Sequence, residues 1–282
     1  IDDKAAAELA QLLSKERVGG VFWGSRAKLP EGRDLVLVPD TRGQALDMLE
    51  TARAEAVLDR CVMIAVDGLP AAKTAMPELR GAIDYWHLAD ITGEIWVGAD
   101  HELALVAGLA KRPFRLFGDG RFARIGDSQG VIQAVREVMD GGAFVCPFSG
   151  DAITPFQTVE LLAQWKRLLD RNRKLSAVLG VAGWKRPTVD PMLWDGARGP
   201  RYGSEVPPAQ AEGAYLAAWK SRTPADLLNR AVRADAPIAE IEDGLIRGRG
   251  LGANCVPPLS IVVDFSGIYF DPSQPSDLEK VL

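Results

Sequence analysis

Residues Asp34–Val66, DLVLVPDTRGQALDMLETARAEAVLDRCVMIAV, read as strand, helix, strand. DLVLVP is a short β-branched apolar run stopped by Pro39, the size and composition of a buried strand. Thr41–Leu58 follows as a helix, and Cys61–Val66 is a second buried strand ending at Asp67-Gly68. Strands that are apolar on both faces, separated by a helical stretch, predict a parallel sheet covered by helices. Toward the C-terminus, Ile95–Val97 and Phe114–Phe117 read as a third and a fourth strand, each with a helix between.

Residues 129–175 look mainly helical. Val131–Met139 and Thr158–Arg173 flank an aromatic, glycine-rich loop, GGAFVCPFSGDAITPF. The second helix repeats Leu161, Leu162, Trp165, Leu168 and Leu169 at helical spacing, an expected inward stripe. Lys166-Arg167 and Arg171–Lys174 read as its solvated face. From Ala177 the alternation resumes through AVLGVAG, YLAAW, PIAEIED, SIVVDF and GIYF. The expectation is an α/β protein with two Rossmann-like domains, residues 1–128 and 176–282, and a helical connector at 129–175. No GxGxxG follows a strand, so a dinucleotide dehydrogenase is not indicated.

The 282 residues are 47% hydrophobic and 25% charged, with a formal net charge of −5. That balance is globular and argues against a nucleic-acid binder, which shows a basic face. Cys61, Cys146 and Cys255 form no CxxC pair and no disulfide framework, which suits a reducing cytosol. The two histidines, His87 and His101, leave little material for a metal site, so none is expected. No apolar run approaches the roughly 20 residues that span a bilayer.

The chemistry-bearing motifs gather in the last hundred residues. Glu242-Asp243-Gly244 closes the strand PIAEIE. Ligands of open α/β sheets bind outside the carboxyl ends of strands, and a carboxylate there can act as general base toward a sugar hydroxyl. Asp-Gly is also a turn dipeptide, so a solvated turn is the alternative. Arg247 and Arg249 flank Gly248 and precede Gly250, which makes either an anion-binding loop or an exposed basic one. Trp184-Lys185-Arg186 and Trp219-Lys220-Ser221-Arg222 each place an aromatic ring and two cations after an apolar strand. That pattern fits an anionic sugar or lipid phosphate; a Trp-Lys pair covering a helix is the alternative.

Pro257-Pro258 forms a rigid, extended entry to Ser260 and the strand SIVVDF. Asp264 is unusual there, because an unpaired buried carboxylate is costly. It is either a turn residue with Phe265-Ser266-Gly267 or part of a site. Tyr269 belongs to an aromatic strand and could face a ligand. Ser276 and Glu279 have the spacing of a capping box. In the first half, Asp40 and Asp100 read as helix caps. Asp47 lies one helical segment beyond the first strand, with no His or Lys partner nearby in sequence.

Ile241–Leu282 resembles the capsule polysaccharide biosynthesis family of bacterial β-Kdo glycosyltransferases. The marks of that family are EDG-aromatic-x-R-S-x-G-L-G, P-L-S-L-V-x-D, G-I-Y-Y-D and P-S-x-L-E; this chain has EDGLIRGRGLG, PLSIVVD, GIYFD and PSDLE. The likeness extends back through PFSGDAITPF, DRNRKLSAVLGVAGWKR and AAWKSRTP. More weakly, DLVLVPDTRGQALDML resembles V-x-V-x-D/G-Q-x-x-x-D-x-S. ADITGEIWVGADHELALVAGLAKRPFRLFG resembles the family's nucleotide-side segment. The family's acidic residue, the expected covalent nucleophile, falls at or near Ala45, leaving Asp47 as a shifted candidate. Its His-Pro-Asp segment has no counterpart near Ala65–Leu69, and Val97-Gly98 replaces a Thr-Ser pair. The first half is therefore expected to be a degenerate nucleotide-sugar half. The donor-like half also precedes the EDG half, the reverse of a complete module. The expectation is a joint between tandem modules or a shortened relative; a joint would have the missing donor half following Leu282.

The resemblance implies a GT-B-like architecture and transfer of Kdo from CMP-Kdo, with retention, to a lipid-linked sugar acceptor. It implies no cofactor beyond the CMP-Kdo donor, peripheral contact with the inner face of the cytoplasmic membrane, and capsule-assembly proteins as possible partners. Glu242 is the expected acid/base, with Asp243 and Arg247 shaping the acceptor site. Arg249, Trp184, Lys185, Trp219, Lys220, Ser260, Asp264 and Tyr269 are expected to bind substrate. The rival expectation is a non-catalytic glycan-binding or scaffolding module of capsule assembly or export.

Overall fold

The computed structural model describes residues 1–65, 76–203, 214–246, 248 and 255–282. The Asp67-Gly68 strand ending, Arg247 and Arg249 lie outside them. The described chain is mixed α/β and divides into two compact units, Ile1–Lys166 and Arg167–Leu282.

In the first unit, β1 (Leu35–Val38), β2 (Cys61–Ile64), β3 (Glu78–Leu79), β4 (Glu94–Gly98) and β5 (Phe114–Phe117) form one sheet ordered β3-β2-β1-β4-β5. Every pairing in it is parallel. All of β1 is buried, as a central parallel strand covered on both faces must be. The two-residue β3 carries no apolar run and escapes sequence periodicity. Helix α1 spans Asp3–Glu16 and α2 spans Arg42–Ala54. Ala45, Met48, Leu49 and Ala52 of α2, spaced i, i+3, i+4, i+7, pack against Leu35, Leu37, Met63 and Trp96. This helix ends before the expected Leu58. Ala56 turns left-handed at φ 55°, and a 3₁₀ turn, Leu58–Arg60, leads into β2. Burial pushes the Cys61 thiol up to about 11, the behaviour of a packing residue.

This unit also holds α3 (Tyr85–Ile91), α4 (Glu102–Leu109) and α5 (Ser128–Asp140). α5 packs on α1 and α4, so the first helix of the 129–175 stretch lies within the first unit. α6 (Pro155–Asn172) follows. Its buried positions are Val159, Ala163, Lys166, Leu169 and Asn172, while Trp165 and Leu168 are 43% and 50% exposed. The expected Leu/Trp stripe is thus corrected in part: Leu169 is buried and Leu161 and Leu162 are half-buried, but Trp165 and Leu168 face outward, and Val159, Ala163, Lys166 and Asn172 complete the buried face. The basic residues on and after α6 are not simply solvated either. Lys166 is buried, Arg171 bonds the Val263 carbonyl and Asp277, and Arg173 bonds the Asp195 carbonyl and Asp170.

In the second unit, β6 (Leu175–Leu179), β7 (Tyr215–Ala218) and β8 (Ile238–Asp243) run parallel, and β9 (Ile261–Asp264) pairs antiparallel with β8. The sheet order is β6-β7-β8-β9. Helices α7 (Arg186–Met192), α8 (Ala225–Arg233) and α9 (Asp277–Val281) accompany it. Val178, Ala217 and Ile241 cluster with Val189 and Leu193; Ala177, Leu216 and Ile238 cluster with Ala231 of α8. Alternate residues of each strand therefore serve opposite faces. Ser276 and Glu279 form the expected capping box of α9. The expected strand at GIYF is a turn instead: Ile268 is buried, whereas Tyr269 and Phe270 are exposed. The physical cause is Asp264, whose carboxylate gathers backbone N–H groups and folds the chain back after β9.

Candidate active site

The carboxyl ends of β6, β7 and β8 bring six of the anticipated residues together. The chain leaves β6 into a 3₁₀ turn, Gly183–Lys185, and leaves β7 into another, Lys220–Arg222. β8 ends on Glu242 and Asp243. The pleat sends Glu240 and Glu242 to the α8 side of the sheet and Asp243 to the α7 side.

Lys185 is the hub. Its Nζ lies 3.1 Å from Asp243 Oδ1 and 3.5 Å above the centre of the Trp219 ring, with the Trp184 ring at 5.4 Å. An ammonium on an indole face beside a carboxylate is held by both the ring quadrupole and the opposite charge. Lys220, on the other side of the sheet, pairs with the buried Glu240. Both lysines expected to meet substrate are thus ion-paired within the chain.

Glu242 is different. It is half-buried, and Ser221 Oγ approaches it only to 3.5 Å. Burial first, and the adjacent Asp243 charge second, raise its pKa above the usual value. A hydrogen bond from the Trp219 side chain and the charge of Lys185 pull the other way without cancelling that rise. A carboxyl held in this way can give and take a proton nearer neutral pH than an ordinary glutamate.

Ser260 braces the loop after β8. Its carbonyl accepts from Gly244 N–H at 2.8 Å, and its hydroxyl accepts from Ile246 N–H and donates to Ile246 O, each at 2.9 Å. A Cβ on Gly244 would fall 2.3 Å from Ser260 Oγ, so the EDG glycine is required by close approach. Asp264 takes its turn alternative. It is 1% exposed and accepts from Ser266 and Gly267 N–H through Oδ1 and from Asp277 N–H through Oδ2. Tyr269 lines a groove of about 340 Å³ with Leu245, Ile261, Leu278 and Val281.

The first unit treats its strand ends differently. Asp47 sits on the exposed face of α2, away from the buried Ala45 and Met48. Asp40 is not the α2 cap; Thr41 is, its hydroxyl accepting from Gln44 N–H at 3.2 Å. The Asp40 carboxylate instead reaches across β4 to accept from Asp100 N–H at 3.1 Å. Gln44 bonds Asp40 N–H at 2.8 Å and the Phe117 carbonyl at 2.9 Å. A Cβ on Gly98 would meet Asp40 Oδ2 at 2.0 Å. Nor does Asp100 cap α4: His101 Nδ1 accepts from Leu103 N–H at 3.1 Å, while Asp100 accepts from Arg121 N–H at 2.8 Å. The ends of β1, β4 and β5 are therefore laced together by side chains.

Arg222, one of the two cations of the Trp219–Arg222 motif, is absent from the residues expected to bind substrate. With Gly180, Trp184, Lys185 and Trp219 it lines a cavity of about 490 Å³ at the ends of β6 and β7. The signal was its spacing: residues i and i+3 share one side of a 3₁₀ turn, which puts Arg222 under Trp219. Among the described residues, no group of three or more His, Cys, Asp or Glu could hold a metal ion, and no helix is long and apolar enough to cross a membrane.

A family model described as "Capsule polysaccharide biosynthesis protein" matches residues 215–282. The "Capsule polysaccharide modification protein LipA" of Neisseria meningitidis, in both a serogroup A and a serogroup B strain, is 32% identical over 143 residues, 49% of this chain and 20% of LipA. "Lipopolysaccharide-processing protein LpsZ" of Rhizobium meliloti is 52% identical over 54 residues, 19% of this chain and 12% of LpsZ. The chain spans about a fifth of the length of the LipA relatives or less than that for LpsZ. Among solved structures, "Thermosulfurimonas dismutans KpsC, beta Kdo 2,4 transferase" aligns with 57% of this chain and 62% of its own, at 10% identity and a TM-score of 0.42. The match to the capsule polysaccharide biosynthesis model falls on residues 215–282, the segment that contains β7, β8, β9 and both carboxylates of the site.

Proposed function

We propose that the chain contributes the acceptor-side half of a GT-B-like glycosyltransferase of capsule assembly. In it Kdo passes from CMP-Kdo to a lipid-linked sugar at the inner face of the cytoplasmic membrane. The observation that supports this is the placement of Glu242 and Asp243 at the carboxyl end of β8, inside the family-matched segment. In the proposed reaction a carboxylate attacks the anomeric carbon, and the bond to CMP breaks with its electron pair leaving on the phosphate. The acceptor hydroxyl then gives its proton to Glu242 as its oxygen bonds the anomeric carbon and the enzyme carboxylate departs. Net retention follows from the two displacements. Transfer from CMP-Kdo to a lipid-linked Kdo acceptor, abolished by Glu242→Gln, is the expected result; equal turnover by that variant would refute the assignment.

A second function has its own support. Asp47 on an exposed helix face and the laced ends of β1, β4 and β5 favour a glycan-binding module without chemistry of its own. Glycan binding without turnover, unaffected by Glu242→Gln, is the outcome that would select it.

A further inference from the structure

Among the described residues, and apart from Arg186, whose guanidinium lies on the Tyr202 ring, three cations follow the strands of the second unit closely enough to meet a ligand at the β6 and β7 ends: Lys185, Lys220 and Arg222. The first two are occupied. Lys185 is bound to Asp243 and stacked on Trp219, and Lys220 is bound to Glu240. Withdrawing either from its carboxylate leaves a largely buried charge behind, which is costly. Arg222 is exposed, lines the 490 Å³ cavity, and makes no ion pair or side-chain hydrogen bond with a described residue. Its backbone is nonetheless fixed, since Arg222 N–H donates to the Trp219 carbonyl at 2.9 Å.

The rest of the lining complements it. Trp184 and Trp219 give the cavity aromatic walls, and Gly180, Val181 and Ala182 supply backbone at the end of β6. An apolar wall with a few placed polar groups is the usual construction of a small-molecule site. A guanidinium presents a planar fork matched to two oxygens of a carboxylate or phosphate. We propose that this cavity is a subsite for the anionic group of a ring-shaped ligand, with Arg222 as the residue that reads the anion and the indoles as the walls for the ring. Lys185, by contrast, is a positioning residue that holds Asp243. The inference rests on the assignment of these strand ends as a sugar-handling site and adds the anion-reading residue and the class of ligand.

The test is direct binding to the 282-residue chain, followed by indole fluorescence or calorimetry, with three probes: free Kdo, CMP and mannose. Kdo offers a carboxylate on a sugar, CMP a phosphate on a nucleoside, and mannose a ring without charge. Wild type should bind one of the two anions more tightly than mannose, and which one identifies the source of the anion. Arg222→Met should weaken that anion about ten- to hundredfold and flatten its salt dependence, with mannose binding unchanged. Arg222→Lys should recover part of the loss, and Trp184→Ala should weaken anionic and neutral ligands alike. Arg222 lies on the surface, so a matching melting temperature confirms the fold of each variant. Anion binding equal in wild type and Arg222→Met overturns the inference while leaving the sugar-handling assignment intact. No binding of any probe to wild type overturns both.

Discussion

Replacing Asp264 separates its turn role from a ligand role, because its whole hydrogen-bonding capacity is visible. Three backbone N–H groups, of Ser266, Gly267 and Asp277, end on its two oxygens at 2.9, 3.0 and 2.8 Å. At 1% exposure, removal of the carboxylate strands donors where water reaches poorly. Each buried unmatched donor costs about 1–3 kcal/mol. The three lie on one short turn and relax together, so their costs do not simply add. About 3–5 kcal/mol is the expected loss for Asp264→Ala. One term acts in the opposite direction: Asp264 stands opposite Glu240 across β8 and β9, and like charges there repel. Lys220 already neutralises Glu240, so relief of that repulsion is the smaller effect. Asp264→Asn keeps an oxygen for Ser266 and Gly267 but sets an amide N–H₂ against Asp277 N–H, for a loss of about 1–3 kcal/mol. Urea unfolding of the two variants beside wild type measures both, and the amide resonance of Gly267 reports the turn directly. An Asp264→Ala protein within about 1 kcal/mol of wild type would refute the reasoning. So would an Asp264→Asn protein of full stability that had lost glycan binding.

Four other outcomes follow from the structure. The raised Glu242 pKa means the fold favours its protonated form, so this residue's contribution is fully present below the ordinary value near 4.3. It is lost as pH rises through the folded value; Glu242→Gln should therefore gain melting temperature over wild type as pH goes from about 4 to 7, and a gap that closes instead would contradict it. In a carboxyl ¹³C titration, Asp243→Asn should lower the Glu242 midpoint and Lys185→Met should raise it, whereas a midpoint indifferent to both would show that neither charge acts on Glu242. Ser276→Ala removes the α9 cap and should cost about 1 kcal/mol in urea unfolding, and no measurable loss would place the stability of this terminus elsewhere. Gly98→Ala should force Asp40 off the end of β4, giving a loss of at least about 1–3 kcal/mol and faster exchange of the Asp100 amide; unchanged exchange would show the lacing to be inessential.

Much of the architecture was legible because parallel strands advertise themselves. LVLV, CVMI, FRLF and YLAA are short apolar or aromatic runs, and each became a strand within a residue or two of its expected bounds. The failures share a cause. Asp40 and Asp100 were assigned as helix caps by local rules and are not caps; Asp264 makes the expected turn with Ser266 and Gly267 but adds a partner beyond it. Asp40 and Asp100 reach partners 60 and 21 residues away, and Asp264 reaches one 13 away; no window of sequence reports such contacts. GIYF has the composition of a strand and was overruled by the Asp264 turn. The α6 stripe was drawn through the largest apolar side chains, whereas the buried face keeps Leu169 but turns Trp165 and Leu168 outward in favour of Val159, Ala163, Lys166 and Asn172. In the site, sequence located the lysines but not their carboxylate partners. It therefore singled out two cations that the fold pairs with Asp243 and Glu240, and left Arg222, named only as part of its motif, off the list of substrate-binding residues.

The two sheets show why the chemistry is assigned to the second unit. Both end their parallel strands in polar residues, which is where α/β folds bind ligands. At the ends of β1, β4 and β5 each such group meets a complementary one: Asp40 meets the Asp100 amide, and Gln44 meets Asp40 N–H and the Phe117 carbonyl. A network satisfied in that way rigidifies, and it leaves nothing to gain from a ligand. At the end of β8 the arrangement leaves a deficit. Two adjacent carboxylates share one nearby lysine, that lysine is taken by Asp243, and Glu242 is left half-buried with its charge opposed. Beside it, Arg222 borders a cavity and meets no carboxylate among the described residues. Such unbalanced groups lower the stability of the free protein and are retained where a bound partner supplies the missing charge or proton. A negatively charged ligand whose hydroxyl yields a proton would relieve both deficits at once, the arginine by its anion and the glutamate by its proton.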